Sequence, residues 1–199
     1  MLRRLVLFGF VLTLAAALVP AALAARVHVR VEGKTTTIFG AAEPFVAPAA
    51  TPLEALEDAS VLGEFFYSVK VFSFGPFVDQ IGRYASSETG GWLFKVNGAA
   101  PQVGADKVQL ADGDRVLWFW SSFSASGTGE KTLLLTRRSR NCYRVFAQDD
   151  AGARTAPVGA SLRVDGRTKA APGGGACVGK HRGLVRALAP GVVRSNALQ

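Results

Sequence analysis

The sequence predicts an α+β protein, and three observations predict it. One segment, opening at Thr51-Pro52-Leu53-Glu54, carries the chemistry of a helix start. Much of the remaining chain alternates apolar and polar residues or runs β-branched and aromatic, with turn dipeptides between the runs. Charge and aromatic content both change near residue 123, which divides the chain in two.

At the N-terminus Arg3 and Arg4 precede an uncharged apolar run from Leu5 to Ala25, broken by Pro20 and closing on Ala22-Leu23-Ala24. That order is the pattern of a secretory signal peptide over residues 1–24, with cleavage after Ala24. The run is also about long enough to span a bilayer, so an uncleaved anchor is the competing reading. Either way the expectation is a secreted or cell-surface, extracytoplasmic protein. An oxidising compartment lets Cys142 and Cys177 pair, where two buried thiols are the alternative. Such a bridge closes a loop of about 35 residues and contributes about 3–4 kcal/mol.

From Arg26 the chain alternates, placing Val27, Val29 and Val31 on one face and Arg26, His28, Arg30 and Glu32 on the other, which is read as wet. Gly33-Lys34 then turns into the β-branched run Thr35–Phe39, so a hairpin opens the unit. Thr51 is the N-cap of the helix, Pro52 sits in its first turn, and Glu54 completes a capping box. Leu53, Leu56 and Val61 are its candidate apolar stripe, and Gly63 stops it. Phe65–Phe74 is strand-like, and Asn97-Gly98 and Asp112-Gly113 are tight-turn dipeptides.

Residues 25–122 hold 8 Lys+Arg against 11 Asp+Glu, whereas residues 123–199 hold 13 against 4. Fourteen aromatic residues lie in the first of these segments and only Phe123, Tyr143 and Phe146 in the second. The small-residue stretch Ser121–Gly129 separates them, so a linker is expected over 123–130 and a second domain over 131–199. The cluster Arg137, Arg138 and Arg140 lacks interleaved aromatics, which reads as a solvated surface and not a nucleic-acid site.

The run Arg115-Val116-Leu117-Trp118-Phe119-Trp120 is apolar on both faces after its first residue. One face covers the helix. The other, grouped with Trp92 and Phe94 of a nearby strand, needs a second layer of protein or a ligand, because a bare apolar patch marks an interaction site. Trp92, Phe94, Trp118 and Trp120 are therefore the candidate ligand-binding residues.

Gly91-Trp92-Leu93-Phe94-Lys95-Val96-Asn97-Gly98, with the later Val108–Val116 stretch and the upstream Gly75–Gly82, resembles the bacterial family named after the C-terminal domain of transcobalamin. The likeness covers about residues 26–120 and implies a β-grasp-like fold for a domain over 25–122. It also implies a site for cobalamin, with Trp92 at the position that lies near the ligand. Leu93 replaces the polar residue found there in the vertebrate proteins, and their large helical domain has no counterpart here. The segment from Lys131 resembles bacterial immunoglobulin-like domains, most clearly over Pro157–Gly166, which implies an all-β sandwich.

No nucleophile-base pair, nucleophile elbow or cluster of metal ligands emerges, and the acids at Asp112, Asp114, Asp149 and Asp150 suit turns. No enzyme activity, no metal and no cofactor are expected. His28 reads as a surface histidine. Two functions remain. The chain is an exported non-enzymatic surface or interaction protein whose aromatics form the joint between domains, or it is a small-ligand binding module for which cobalamin is the candidate ligand.

Overall fold

The computed structural model describes residues 25–46, 48–123 and 129–199. The predicted signal segment and the centre of the predicted linker lie outside these residues. The N-terminal segment opens with β1 (His28–Glu32), β2 (Thr37–Phe39) and α1 (Pro52–Leu62). It continues through β3 (Tyr67–Phe72), β4 (Gly75–Ile81), β5 (Tyr84–Ala85), β6 (Gly90–Val96) and β7 (Arg115–Ser122). The C-terminal segment starts with β8 (Thr132–Ser139), β9 (Cys142–Gln148), β10 (Arg154–Thr155) and β11 (Ser161–Val164). Four short strands complete it: β12 (Arg167–Ala170), β13 (Gly175–Cys177), β14 (Val185–Leu188) and β15 (Ala197–Leu198).

This corrects the α+β class expected from the sequence. Among the described residues strands take 47% against 8% for helix, with one α-helix, so the architecture is all-β. Thr51 and Gly63 bound that helix to 11 residues, and the eight elements β8–β15 are all extended. The physical reason is that only one segment carries helical spacing between two caps, while the alternating segments build sheets.

The helix start follows its sequence signature. Thr51 Oγ1 accepts from Glu54 N–H at 3.2 Å, and the Glu54 carboxylate reaches back to Ala50 N–H at 2.8 Å, one residue before the cap itself. Pro52, Ala55, Leu56 and Ala59 are buried, and Leu53 is half-buried, but Val61 points to solvent and leaves the predicted stripe.

Strand order β2-β1-β7-β6 forms a mixed sheet in which β1 and β7 run parallel. A second, antiparallel sheet β3-β4-β5 lies beside it. Helix α1 packs with Val27, Val29, Val31, Trp92, Trp118, Trp120, Val78 and Ile81 in one core between these layers. Gly90 is needed because a Cβ there would enter the Trp120 ring. Gly90→Ala is expected to cost about 1–3 kcal/mol through overpacking, read as a lower urea midpoint.

The C-terminal segment packs β8, β10 and β13 around β9 as one sheet and orders the other as β12-β11-β14-β15. Leu133, Leu135, Tyr143 and Val145 meet Leu162, Val164, Val185 and Ala187 between them. Cys142 and Cys177 form a disulfide between directly opposed residues of β9 and β13, so the bridge ties neighbouring strands of one sheet.

The mixed sheet has a second covered face. Arg30 and Glu32 of β1 stand beside Leu117 and Phe119 of β7, which stand beside Lys95 and Leu93 of β6. Leu93, Leu117 and Phe119 pack with Val193 of the C-terminal segment. The centre of this seam is apolar and its two flanks are charged. The face of β1 read as wet is therefore half wrong, since Arg30 is 4% exposed and Glu32 is fully buried. Ser121 and Ser122, the first residues of the small-residue stretch, belong to β7, and Ser121 Oγ accepts from Glu130 N–H at 2.8 Å.

Candidate functional site

The register of β6 on β7 pairs Trp92 with Trp120 and Phe94 with Trp118, which puts all four rings on the helix side of the sheet. This corrects the grouping of Trp92 and Phe94 with the second face of β7; that face is occupied by Leu93, Leu117 and Phe119 and covered by the C-terminal segment. Period-two geometry requires it, because residues paired across strands share a face.

Each indole N–H is satisfied. Trp92 Nε1 donates to Tyr84 O at 2.7 Å, Trp118 Nε1 to Pro52 O at 3.1 Å, and Trp120 Nε1 to Ala85 O at 3.4 Å. Phe94 and Trp118 lie 5.1 Å apart, ring centre to ring centre. The backbone that holds Trp92 is itself pinned, because Tyr84 Oη contacts the hydroxyls of Thr35 and Thr36 and the Arg83 guanidinium. Hydrogen bonds from Thr35 and Thr36 lower the Tyr84 phenol to about 7, outweighing burial, and Arg83 adds to them.

Beside these rings lies an open groove of about 640 Å³. Its floor is Trp92, Phe94 and Trp118, and its walls are Leu53 from the first turn of α1, Phe74, Pro76 and Phe77 from the β3–β4 hairpin, and the 101–105 loop. Trp92 is only 2% exposed, whereas Phe74 is 75% exposed at the hairpin tip. Phe72 and Phe74 stack at 5.2 Å, extending the apolar rim. Gln102 and Lys107 are the polar groups of the lining, and Lys107 pairs with Asp106 at 2.9 Å.

Of the four residues named from sequence, the groove brings together Trp92, Phe94 and Trp118. Trp120 lies elsewhere, with the Lys34 ammonium 3.6 Å above its ring. Sequence reasoning missed Leu53, Phe74 and Phe77. The signal for Phe74 was present, since a ring directly before Gly75-Pro76 is carried to a hairpin tip.

The remaining candidates have local roles. His28 stacks on Phe45 at 3.7 Å, with Nδ1 2.7 Å from Glu43 O. Asp114 accepts the Ala111 backbone N–H within its turn, whereas Asp112 accepts that of Arg26, far away in the chain. Among the described residues no three His, Cys, Asp or Glu side chains converge as metal ligands. Among the described residues no helix is long and apolar enough to cross a membrane.

Residues 51–122 match the family described as a domain of unknown function (DUF4430). That stretch runs from the N-cap of α1 to the end of β7, so it contains the groove. No curated protein matches the chain. Among solved structures, the chain is similar to a "putative metal binding protein" from Ruminococcus gnavus, with 15% identity and a TM-score of 0.39 over 49% of this chain and 97% of the other.

Proposed function

We propose that the chain is an exported, non-enzymatic binding protein whose groove beside the aromatic strand receives an apolar, ring-bearing ligand. The single observation that carries this reading is the open groove itself. Its volume falls in the range of small-molecule sites, about 300–1,000 Å³, and exposed Phe74 projects beside it. The disulfide suits an oxidising compartment. Cobalamin is the ligand that the transcobalamin likeness implies; a cell-surface component presenting an aromatic group would use the same walls. A surface protein whose tryptophans form the joint is less well supported, because the seam uses Leu93, Leu117, Phe119 and Val193 instead.

Equilibrium dialysis against cyanocobalamin, with anilinonaphthalene sulfonate as a general apolar probe, tests this reading. At least one of the two is expected to bind saturably, and Phe74→Ser to weaken it by about tenfold, or 1.4 kcal/mol. Absence of saturation by both up to about 1 mM, where binding contributes only about 4 kcal/mol, overturns the groove as a site.

A further inference from the structure

The seam between the two segments contains a second cavity, of about 370 Å³. Its lining joins an apolar side, with Leu117 of β7 and Leu134 of β8, to a cationic end with Arg30, Arg115 and Arg154. Glu43 is the one carboxylate of the lining, and Arg30 also lies 3.4 Å from the Glu32 carboxylate outside it. Glu43 pairs with Arg115 and lies 3.2 Å from Arg30 Nε. Arg154 has no carboxylate in ion-pair range among the described residues; its guanidinium lies over the Phe146 ring at 5.8 Å.

One buried donor in this lining is left over. Arg30 Nε makes no hydrogen bond, because Glu43 stands off the direction of its N–H. The Gln148 side chain, 6% exposed, lines the same hollow. Buried polar groups are nearly always paired, so an unfilled donor facing a hollow marks a missing acceptor. Excess positive charge states that the acceptor is anionic, and guanidinium groups favour a carboxylate geometrically. The leucine side states that an apolar body follows it.

We infer that this seam cavity binds a small amphiphilic carboxylate, with its head at Arg30, Arg115 and Arg154 and its chain against Leu117 and Leu134. Because strands of both segments supply the lining, occupancy would also hold them together. The inference is independent of the groove, which lies on the opposite face of the mixed sheet.

Calorimetric titration of the mature chain with octanoate, octanol and inorganic phosphate tests it. Octanoate is expected to saturate one site, with octanol and phosphate at least about tenfold weaker. Arg154→Ala is expected to weaken octanoate about tenfold while leaving the urea midpoint unchanged, since this side chain is exposed. Phe74→Ser should leave octanoate binding intact. The inference fails if octanoate shows no saturation below about 10 mM, if octanol binds as tightly, or if Arg154→Ala has no effect. Loss of octanoate binding in Phe74→Ser would place the ligand in the groove and equally overturn it.

Discussion

Glu32→Gln is expected to destabilise the folded chain by about 3–5 kcal/mol, the cost of removing one partner from a buried ion network. The Glu32 carboxylate is fully buried in the seam. Its Oε1 accepts from Arg186 and lies 3.4 Å from Arg30, while its Oε2 accepts from Arg194 at 3.1 Å and from Thr37 at 3.0 Å. Glutamine keeps the shape but removes the charge and turns one acceptor into a donor facing other donors. Burial already pushes the Arg186 guanidinium below its usual range, with Glu32 opposing that shift and Arg30 and Arg194 adding to it. Urea denaturation of both proteins measures the difference. Asp79→Asn is the comparison, because its pair with exposed Lys70 should matter by less than about 1 kcal/mol. Equal costs for the two substitutions would mean that the seam is open to water.

The same residue shows what sequence patterning can and cannot reveal. Val27, Val29 and Val31 were legible as a core face, since their period is set by the backbone. The hairpin turn at Asn97-Gly98 was equally legible, because both residues take positive φ (53° and 91°). Arg30 and Glu32 were not legible as buried. A charged side chain counts as polar in an alternation whether water or an opposite charge satisfies it, and Arg186 and Arg194, which hold Glu32, lie more than 150 residues away. The rings of Trp92, Phe94 and Trp118 were found because aromatic residues are conspicuous; which side of the sheet they take depends on register, which only the pairing with β7 fixes. The fold class was misjudged for a related reason. One well-capped helix is a strong local signal, yet its 11 residues weigh little against fifteen strands among the described residues.

Lys95→Met, on the opposite flank of the seam, is expected to cost about 2–4 kcal/mol. Lys95 is fully buried, and its ammonium donates to the carbonyls of Asp149 at 2.8 Å and Gln148 at 3.2 Å, with the Asp150 carboxylate at 3.5 Å. It thereby joins β6 to the turn that follows β9. Methionine fills comparable space but leaves those acceptors without their donor. Asp150 is partly exposed and rehydrates, so the cost stays below that at Glu32. Burial lowers the Lys95 pKa from its ordinary value of 10.5, opposed by the charges of Asp150 and Asp149. In the window between that lowered value and 10.5 the unfolded chain binds the proton more tightly, so the wild-type chain gains stability as pH rises. The methionine variant has no such group. The gap between the two proteins should therefore widen as pH rises toward 10.5. A gap that narrows over that interval would show that the ammonium is better stabilised in the fold than in water, and that its partners outweigh its burial.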